Sequence, residues 1–202
     1  MKKSKKISNI VFLILTMFIF FAFLFCLIIN QKFIAMQFLF LFFSLFLPAI
    51  ISFITQIKIT FLMQITYNIF LILHFILGEI CSFYIKYYYY DTALHFLSAI
   101  LLAILGYAII HYYLKDSSLV IQLIFSIMFS LSLEYMWEIL EFTIDHFCNT
   151  NMQRFIKNDI VLSGHMALFD TTKDMIVAFM GSMCIIFLIN IKRIRKLEIS
   201  KQ

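Results

Sequence analysis

Long apolar segments separated by short polar ones constrain this sequence more than any other feature. Six of them, each near the roughly 20 residues that cross a bilayer as a helix, follow one another along the chain. Backbone groups in hydrocarbon have no water to bond, so each span must satisfy its own peptide groups as a helix. We therefore predict an all-α polytopic membrane protein, a bundle of about six transmembrane helices, with spans at about 8–29, 33–55, 59–84, 91–113, 119–144 and 168–190.

The composition supports one transmembrane domain over residues 1–202. The chain is 63% hydrophobic and only 13% charged, which excludes an ordinary soluble domain. The apolar stretch at 7–29 exceeds the apolar core of a signal peptide, and no small-x-small cleavage pattern follows it. We expect it to be retained as the first helix.

The basic residues predict the orientation of the spans. Placing both termini in the cytoplasm gives 11 lysines and arginines inside and 5 outside, as the positive-inside rule favours. The net charge of +5 lies largely at the two ends, which indicates the anionic leaflet of a bilayer as partner and not nucleic acid. The tyrosines at 87–90 then form an aromatic belt at the outer interface.

Ionisable side chains within the spans converge on the outer half of the bilayer in this arrangement. Asp91 and His95 share a face of the fourth span because they are four residues apart. The other members lie on the third, fifth and sixth spans: His74 and Glu79; Glu134, Glu138, Glu141 and Asp145; and Asp170 and Asp174. We expect Glu79 and Asp145 to be interfacial. The tyrosines set the depth of an acidic, outward-facing cavity.

This convergence has an energetic cost that needs an explanation. A charged side chain at mid-membrane costs about 2.5–3.5 kcal/mol on insertion scales. Several carboxylates in one cavity must therefore carry protons or be compensated by positive charge. Lys173 is next to Asp174 in sequence but is predicted to lie on another helix face. A divalent cation is the remaining candidate.

Three motifs resemble the YjdF-like family of bacterial inner-membrane proteins. They are YYYYDTALHF at 87–96, EYMWEILEF at 134–142 and LFDTTKDMIVAFMGS at 168–182, within a similar region of about 65–185. The family pattern places Asp91 and His95 in the first motif, Glu138 and Glu141 in the second, and Asp170, Thr171, Asp174 and Gly181 in the third, with His74 in the preceding span. The resemblance implies a multi-pass protein of the bacterial inner membrane whose function is uncharacterised.

The chain departs from the family pattern at two packing positions. Ala99 stands where the family tends to have glycine, and Phe142 stands where it has tryptophan. Both changes concern how closely helices approach rather than chemistry. Glu134 falls outside the family's acidic pair, so it ranks with His74 and Thr171 as a secondary candidate.

A divalent-metal site is the leading functional hypothesis. Its ligands would be drawn from Asp91, His95, Glu138, Glu141, Asp170 and Asp174, a set of one imidazole and several oxygens. Such ligands suit Zn²⁺, Mn²⁺ or Mg²⁺, and no other cofactor is expected. The chain would then act as a metal-dependent membrane hydrolase on a lipid of the cell envelope that enters laterally between helices. No HExxH element supports catalysis, so enzymatic activity is left open.

Two alternatives stay open at this point. Acidic residues and histidines within membranes often mark ion or proton pathways, which suggests ion- or proton-coupled transport. The clustering on one side argues against a pathway across the bilayer. The polar residues could instead form a purely structural cluster that holds the helices together. The sequence also leaves open whether the long connection 146–167, with Asp159 and His165, folds over the cavity as a lid.

Overall fold

The computed structural model confirms an all-α polytopic membrane protein. It describes the backbone of residues 2–157 and 160–199 and the side chains of 12–157 and 160–190. Within those residues, five helices are long and apolar enough to cross a membrane, and Phe12–Ile28 forms a shorter apolar helix. The basic residues of both termini lie outside the described side chains, so the orientation stays a prediction.

The order of elements follows the predicted spans. The helices are α1 (Lys2–Ile28), α2 (Lys32–Ser44), α3 (Leu47–Thr55), α4 (Phe61–Leu71), α5 (Phe83–Lys86), α6 (Tyr90–Tyr113), α7 (Leu119–Cys148) and α8 (His165–Ile199). A π-helical segment, Ile72–Ile80, continues α4. Strands β1 (Ile156–Lys157) and β2 (Ile160–Val161) pair antiparallel between α7 and α8.

Two of the predicted spans are not continuous α-helices. The second is interrupted between Ser44 and Leu47, and Pro48 lies in the first turn of the helix that follows. Proline fits there because the amide that it lacks would have no partner within the helix. The third span changes from α-helix to π-helix at Ile72. Such segments disturb the helical register and are frequent at functional sites.

The chain divides into two compact units, Met1–Tyr88 and Tyr89–Gln202. In the first unit, Ile19, Leu41, Leu45 and Leu71 form a buried apolar cluster. The single domain expected from the sequence stays a prediction.

Small residues allow close helix packing in the second unit. Gly181 of α8 faces α6 so closely that an added Cβ would lie 2.5 Å from the carbonyl oxygen of Phe96. Ala99 of α6 is fully buried, and its carbonyl accepts a hydrogen bond of 2.9 Å from the Ser130 hydroxyl of α7. The Ser126 hydroxyl donates to the carbonyl of Ala103 in the same way. Small residues and serine bonds of this kind hold membrane helices together.

Candidate functional site

The ionisable residues of α6, α7 and α8 meet in the second unit. They come from the first turns of α6, the second half of α7 and the first turns of α8. Asp91, His95, Glu134, Glu138, Glu141, Asp145 and Asp174 are all buried. The convergence expected of the fourth, fifth and sixth spans is therefore present in the fold. We call Asp91, His95, Glu134, Glu138, Glu141, Asp170 and Asp174 the acidic cluster.

His95 contacts three carboxylates of the acidic cluster. Its Nδ1 atom lies 3.0 Å from Oε2 of Glu134, and its Nε2 atom lies 3.7 Å from Oδ1 of Asp91 and 3.8 Å from Oε1 of Glu138. Only the first distance is a hydrogen bond, because such bonds to nitrogen reach about 3.2 Å. His95 therefore has one bonded nitrogen and one nitrogen that faces two carboxylates.

Glu134 fixes the orientation of the imidazole ring. The Ser98 hydroxyl donates to Oε1 of Glu134 at 2.6 Å, while Oε2 faces Nδ1 of His95. An ionised carboxylate only accepts hydrogen bonds, so Nδ1 carries the proton in this arrangement. In a neutral ring, Nε2 would then carry a lone pair on the side that faces Asp91 and Glu138. The motif ranked Glu134 only as a secondary candidate. Its carboxylate nevertheless lies closer to His95 than those of Asp91 and Glu138.

Asp91, His95 and Asp174 form a group of metal-binding size. One ligand atom from each lies within 4.8 Å of the other two. Two buried carboxylate oxygens close to this group, Oδ1 of Asp174 and Oε1 of Glu138, accept no hydrogen bond. A buried polar atom without a partner is costly, so these two oxygens need a proton or a cation.

Positive side chains reach the cluster from two places. Lys173 Nζ lies 2.7 Å from Oδ1 of Asp170 and 3.6 Å from Oδ2 of Asp174. Although the sequence predicts Lys173 on another helix face than Asp174, its long side chain brings the ammonium group to both carboxylates. In the guanidinium group of Arg154, Nη2 lies 3.5 Å from Oδ2 of Asp91 and Nη1 lies 3.9 Å from Oδ1 of Asp170.

Asp145 anchors the loop that carries Arg154. Its Oδ1 accepts from the Thr150 hydroxyl at 2.5 Å and from the Met152 amide at 2.7 Å. Its Oδ2 accepts from the Gln153 amide at 2.9 Å. Arg154 itself has a φ of +50°, which turns the chain back toward the cluster. Asp145 therefore lies near the end of α7 and also holds this loop in place through its hydrogen bonds.

Gln153 and Thr171 connect the loop to α7 and α8. The Gln153 amide nitrogen donates to the Thr171 hydroxyl at 3.0 Å and lies 3.5 Å from Oε2 of Glu138. This part of the long connection packs against the acidic cluster. Asp159 lies outside the described residues, and a lid role for the whole connection stays a prediction.

The remaining candidates have other contacts. Glu141, one turn beyond Glu138, accepts a hydrogen bond of 2.8 Å from the Trp137 indole. His74 belongs to the first unit, where its Nδ1 bonds the Tyr84 hydroxyl. Glu79, also in the first unit, accepts from the Gln37 amide at 3.4 Å.

Four further residues contact the acidic cluster but were not among the predicted site residues: Ser98, Gln153, Arg154 and Lys173. Lys173 follows Asp170 by three residues, a spacing that brings side chains together on a helix and could have identified the pair. Ser98 follows His95 by three residues, so the same rule applies to it. Arg154 and Gln153 lie in a loop, where no periodicity predicts the direction of a side chain.

Comparison with known proteins identifies a family and no characterised relative. The model of a family described as "Predicted membrane protein (DUF2238)" matches residues 10–195, nearly the whole chain. Neither the curated proteins nor the solved structures include a match. The YjdF-like resemblance is confirmed, since YjdF is a protein of this family. The chain therefore belongs to the DUF2238 family of predicted membrane proteins.

Proposed function

We propose that this chain binds a divalent cation through Asp91, His95 and Asp174 and uses it to hydrolyse an ester of an envelope lipid. The observation that carries the metal site is the approach of one ligand atom from each of these three residues to within 4.8 Å of the others. We place the protein in the bacterial inner membrane with both termini in the cytoplasm. The site then faces the outer side.

The distances around His95 suit a shared cation. Two atoms that each bind one metal at about 2.1 Å lie at most about 4.2 Å apart. The Nε2 atom of His95 meets this limit with Asp91, at 3.7 Å, and with Glu138, at 3.8 Å. Glu138 would therefore lie close enough to an ion held there to act on its water.

The support that His95 receives is also typical of metal ligands. A metal-binding histidine usually donates its second ring nitrogen to a carboxylate, which fixes the ring and raises its basicity. Glu134 occupies this place at 3.0 Å from Nδ1. The Ser98 hydroxyl holds Glu134 in turn.

The charge balance of the cluster favours a cation. Six carboxylates belong to it, and the described cationic partners in the second unit are Arg154, Lys173 and, when protonated, His95. With all six carboxylates ionised, a negative excess remains even when all three partners are charged. Burial makes such an excess expensive, and a divalent ion removes it more fully than one proton does.

Hydrolysis assigns roles to the residues around the ligands. Asp91, His95 and Asp174 would hold the ion, and a divalent cation there would make a bound water easier to ionise near neutral pH. Water adds its oxygen to the ester carbonyl carbon, the bond to the alcohol oxygen breaks, and that oxygen takes a proton. Glu138 is suited to accept the proton from water, and Arg154 and Lys173 are suited to stabilise the anionic head of a lipid.

A structural cluster is the second candidate, and the ion pairs of Asp170 favour it. Lys173 bonds Asp170 at 2.7 Å, and Arg154 pairs with Asp91 and Asp170 across the loop. These contacts could hold α6, α8 and the loop together without a cation. This reading predicts that loss of a carboxylate lowers stability and that the wild-type protein contains no metal.

Metal content decides between the two candidates. Purified wild-type protein would be compared with Asp174→Asn and with Asp116→Asn, which removes an exposed carboxylate outside the cluster. We expect about one divalent ion per chain, by mass spectrometry, in wild type and Asp116→Asn and none in Asp174→Asn. Folded wild-type protein that contains no divalent ion, and takes none up when Zn²⁺, Mn²⁺ or Mg²⁺ is added, would exclude the metal site.

A further inference from the structure

A cleft of about 240 Å³ lies between α7 and α8 beside the acidic cluster. Its lining residues are apolar except for Glu134 and Tyr135. The lining residues are Leu131, Glu134, Tyr135, Met175, Ala178 and Phe179. The proposed metal site does not account for this cleft.

The rim of the cleft is open to the bilayer. Tyr135, Met175 and Phe179 are 53%, 42% and 48% exposed, although they lie in membrane-spanning helices. Exposed side chains within a span contact lipid, because the surroundings at that depth are hydrocarbon. The cleft is therefore accessible from the side, through the bilayer.

The position of the rim along α8 places the cleft at the depth of acyl chains. Met175 and Phe179 follow the first residue of α8 by 10 and 14 positions, which is about 15 and 21 Å along the helix. With the start of α8 taken as the edge of the hydrocarbon core, which is about 30 Å thick, these residues lie well inside the core. Asp170 is only about 7 Å from the same end. The cleft is thus deeper in the membrane than the outermost carboxylates of the cluster.

Glu134 connects the cleft with the acidic cluster. Glu134 is one of the residues that line the cleft, and its carboxyl group is bonded to His95 and Ser98. A chain lying in the cleft would have its polar end on the side of Asp91, Asp170 and Arg154, nearer the start of α8. The arrangement combines an apolar site for a tail with a charged site for a head.

We propose that this cleft binds one acyl chain of a bilayer phospholipid. The inference deepens the proposed function, on which it rests for the reaction, by making the substrate a lipid with an acyl chain. Occupation of the cleft itself depends only on its shape, its apolar lining and its depth.

Photolabelling of the protein in phospholipid nanodiscs tests the inference. The probe is a phosphatidylcholine with a diazirine in the middle of one acyl chain, and the labelled residues are located by mass spectrometry. Met175→Trp fills the cleft from its rim. Met180→Trp is the matched control, because Met180 is 58% exposed on the same helix but does not line the cleft.

We expect the lining residues to carry several-fold more label than other lipid-exposed residues of α7 and α8. Met175→Trp should lose this excess and Met180→Trp should keep it. Equal labelling of all exposed residues, or an excess that survives Met175→Trp, would overturn the inference. Metal content is measured in the same samples, so a missing ion argues against the proposed function without affecting the labelling result.

Discussion

His95 and Glu134 are 39 residues apart in the chain, and their side chains meet at 3.0 Å between Nδ1 and Oε2. This contact joins α6 to α7 and leaves Nε2 of His95 facing Asp91 and Glu138. It makes Glu134 a positioning residue for the proposed metal ligand.

Removal of Glu134 should therefore weaken metal binding without removing a ligand. Loss of the carboxylate that supports a metal-binding histidine typically costs 10–100-fold in affinity. We expect Glu134→Ala to lower Zn²⁺ affinity by about that factor in a competition titration with a chelator. Ser132→Ala is the control, since the Ser132 hydroxyl bonds only the Met128 carbonyl on an exposed face. Unchanged affinity in Glu134→Ala would show that Nε2 of His95 needs no such support.

A divalent cation should also stabilise the folded protein. A ligand that binds only the native state adds about 2.7 kcal/mol at one hundred times its dissociation constant. We expect Zn²⁺ or Mn²⁺ to raise the melting temperature of wild type and Asp116→Asn in detergent and to leave Asp174→Asn unchanged. An equal rise in all three proteins would indicate binding outside the acidic cluster.

A larger side chain at Gly181 should destabilise the packing of α6 against α8. A Cβ there would lie 2.5 Å from the Phe96 carbonyl oxygen and 3.1 Å from the Ala99 Cβ, so α6 and α8 would have to separate. Overpacking of this kind costs about 1–3 kcal/mol. We expect Gly181→Ala to lower the free energy of unfolding by that amount, with the lipid-exposed variant Met180→Ala within about 0.5 kcal/mol of wild type. Wild-type stability in Gly181→Ala would contradict the close approach of the two helices.

Asp145 should control the accessibility of Arg154. Its carboxylate accepts three hydrogen bonds from residues 150–153, and loss of a charged partner costs about 1.5–3 kcal/mol. We expect Asp145→Ala to increase the rate of tryptic cleavage after Arg154 by about tenfold or more, because the loop opens more often. Thr143→Ala, on an exposed face of the same helix, should leave the rate unchanged. Equal rates in the two variants would mean that Asp145 does not hold the loop.

The sequence predicted the helices well because hydropathy alone defines a membrane span. The starts and ends differ by a few residues, as at α8, which begins at His165 rather than near 168. Proline within the second span indicated a kink there, and the helix is interrupted just before Pro48. The π-helical segment at Ile72 was harder to predict, since it depends on local backbone geometry that apolar composition does not report.

The candidate site was predictable only where residues share a helix. Asp91 with His95 and Asp170 with Asp174 follow from a spacing of four. The partnership of His95 with Glu134 depends on the relative rotation and height of α6 and α7, which a single sequence does not specify. Arg154 reaches the cluster through a left-handed turn held by Asp145, and that turn has no periodic signal.

The most direct measurement is X-ray absorption at the zinc edge of the zinc-loaded protein in nanodiscs, for wild type and His95→Ala. We expect a coordination shell of oxygens with one imidazole in wild type, and loss of the imidazole scattering in His95→Ala. An oxygen-only shell in wild type, or a spectrum that the variant leaves unchanged, would contradict a metal site built on His95.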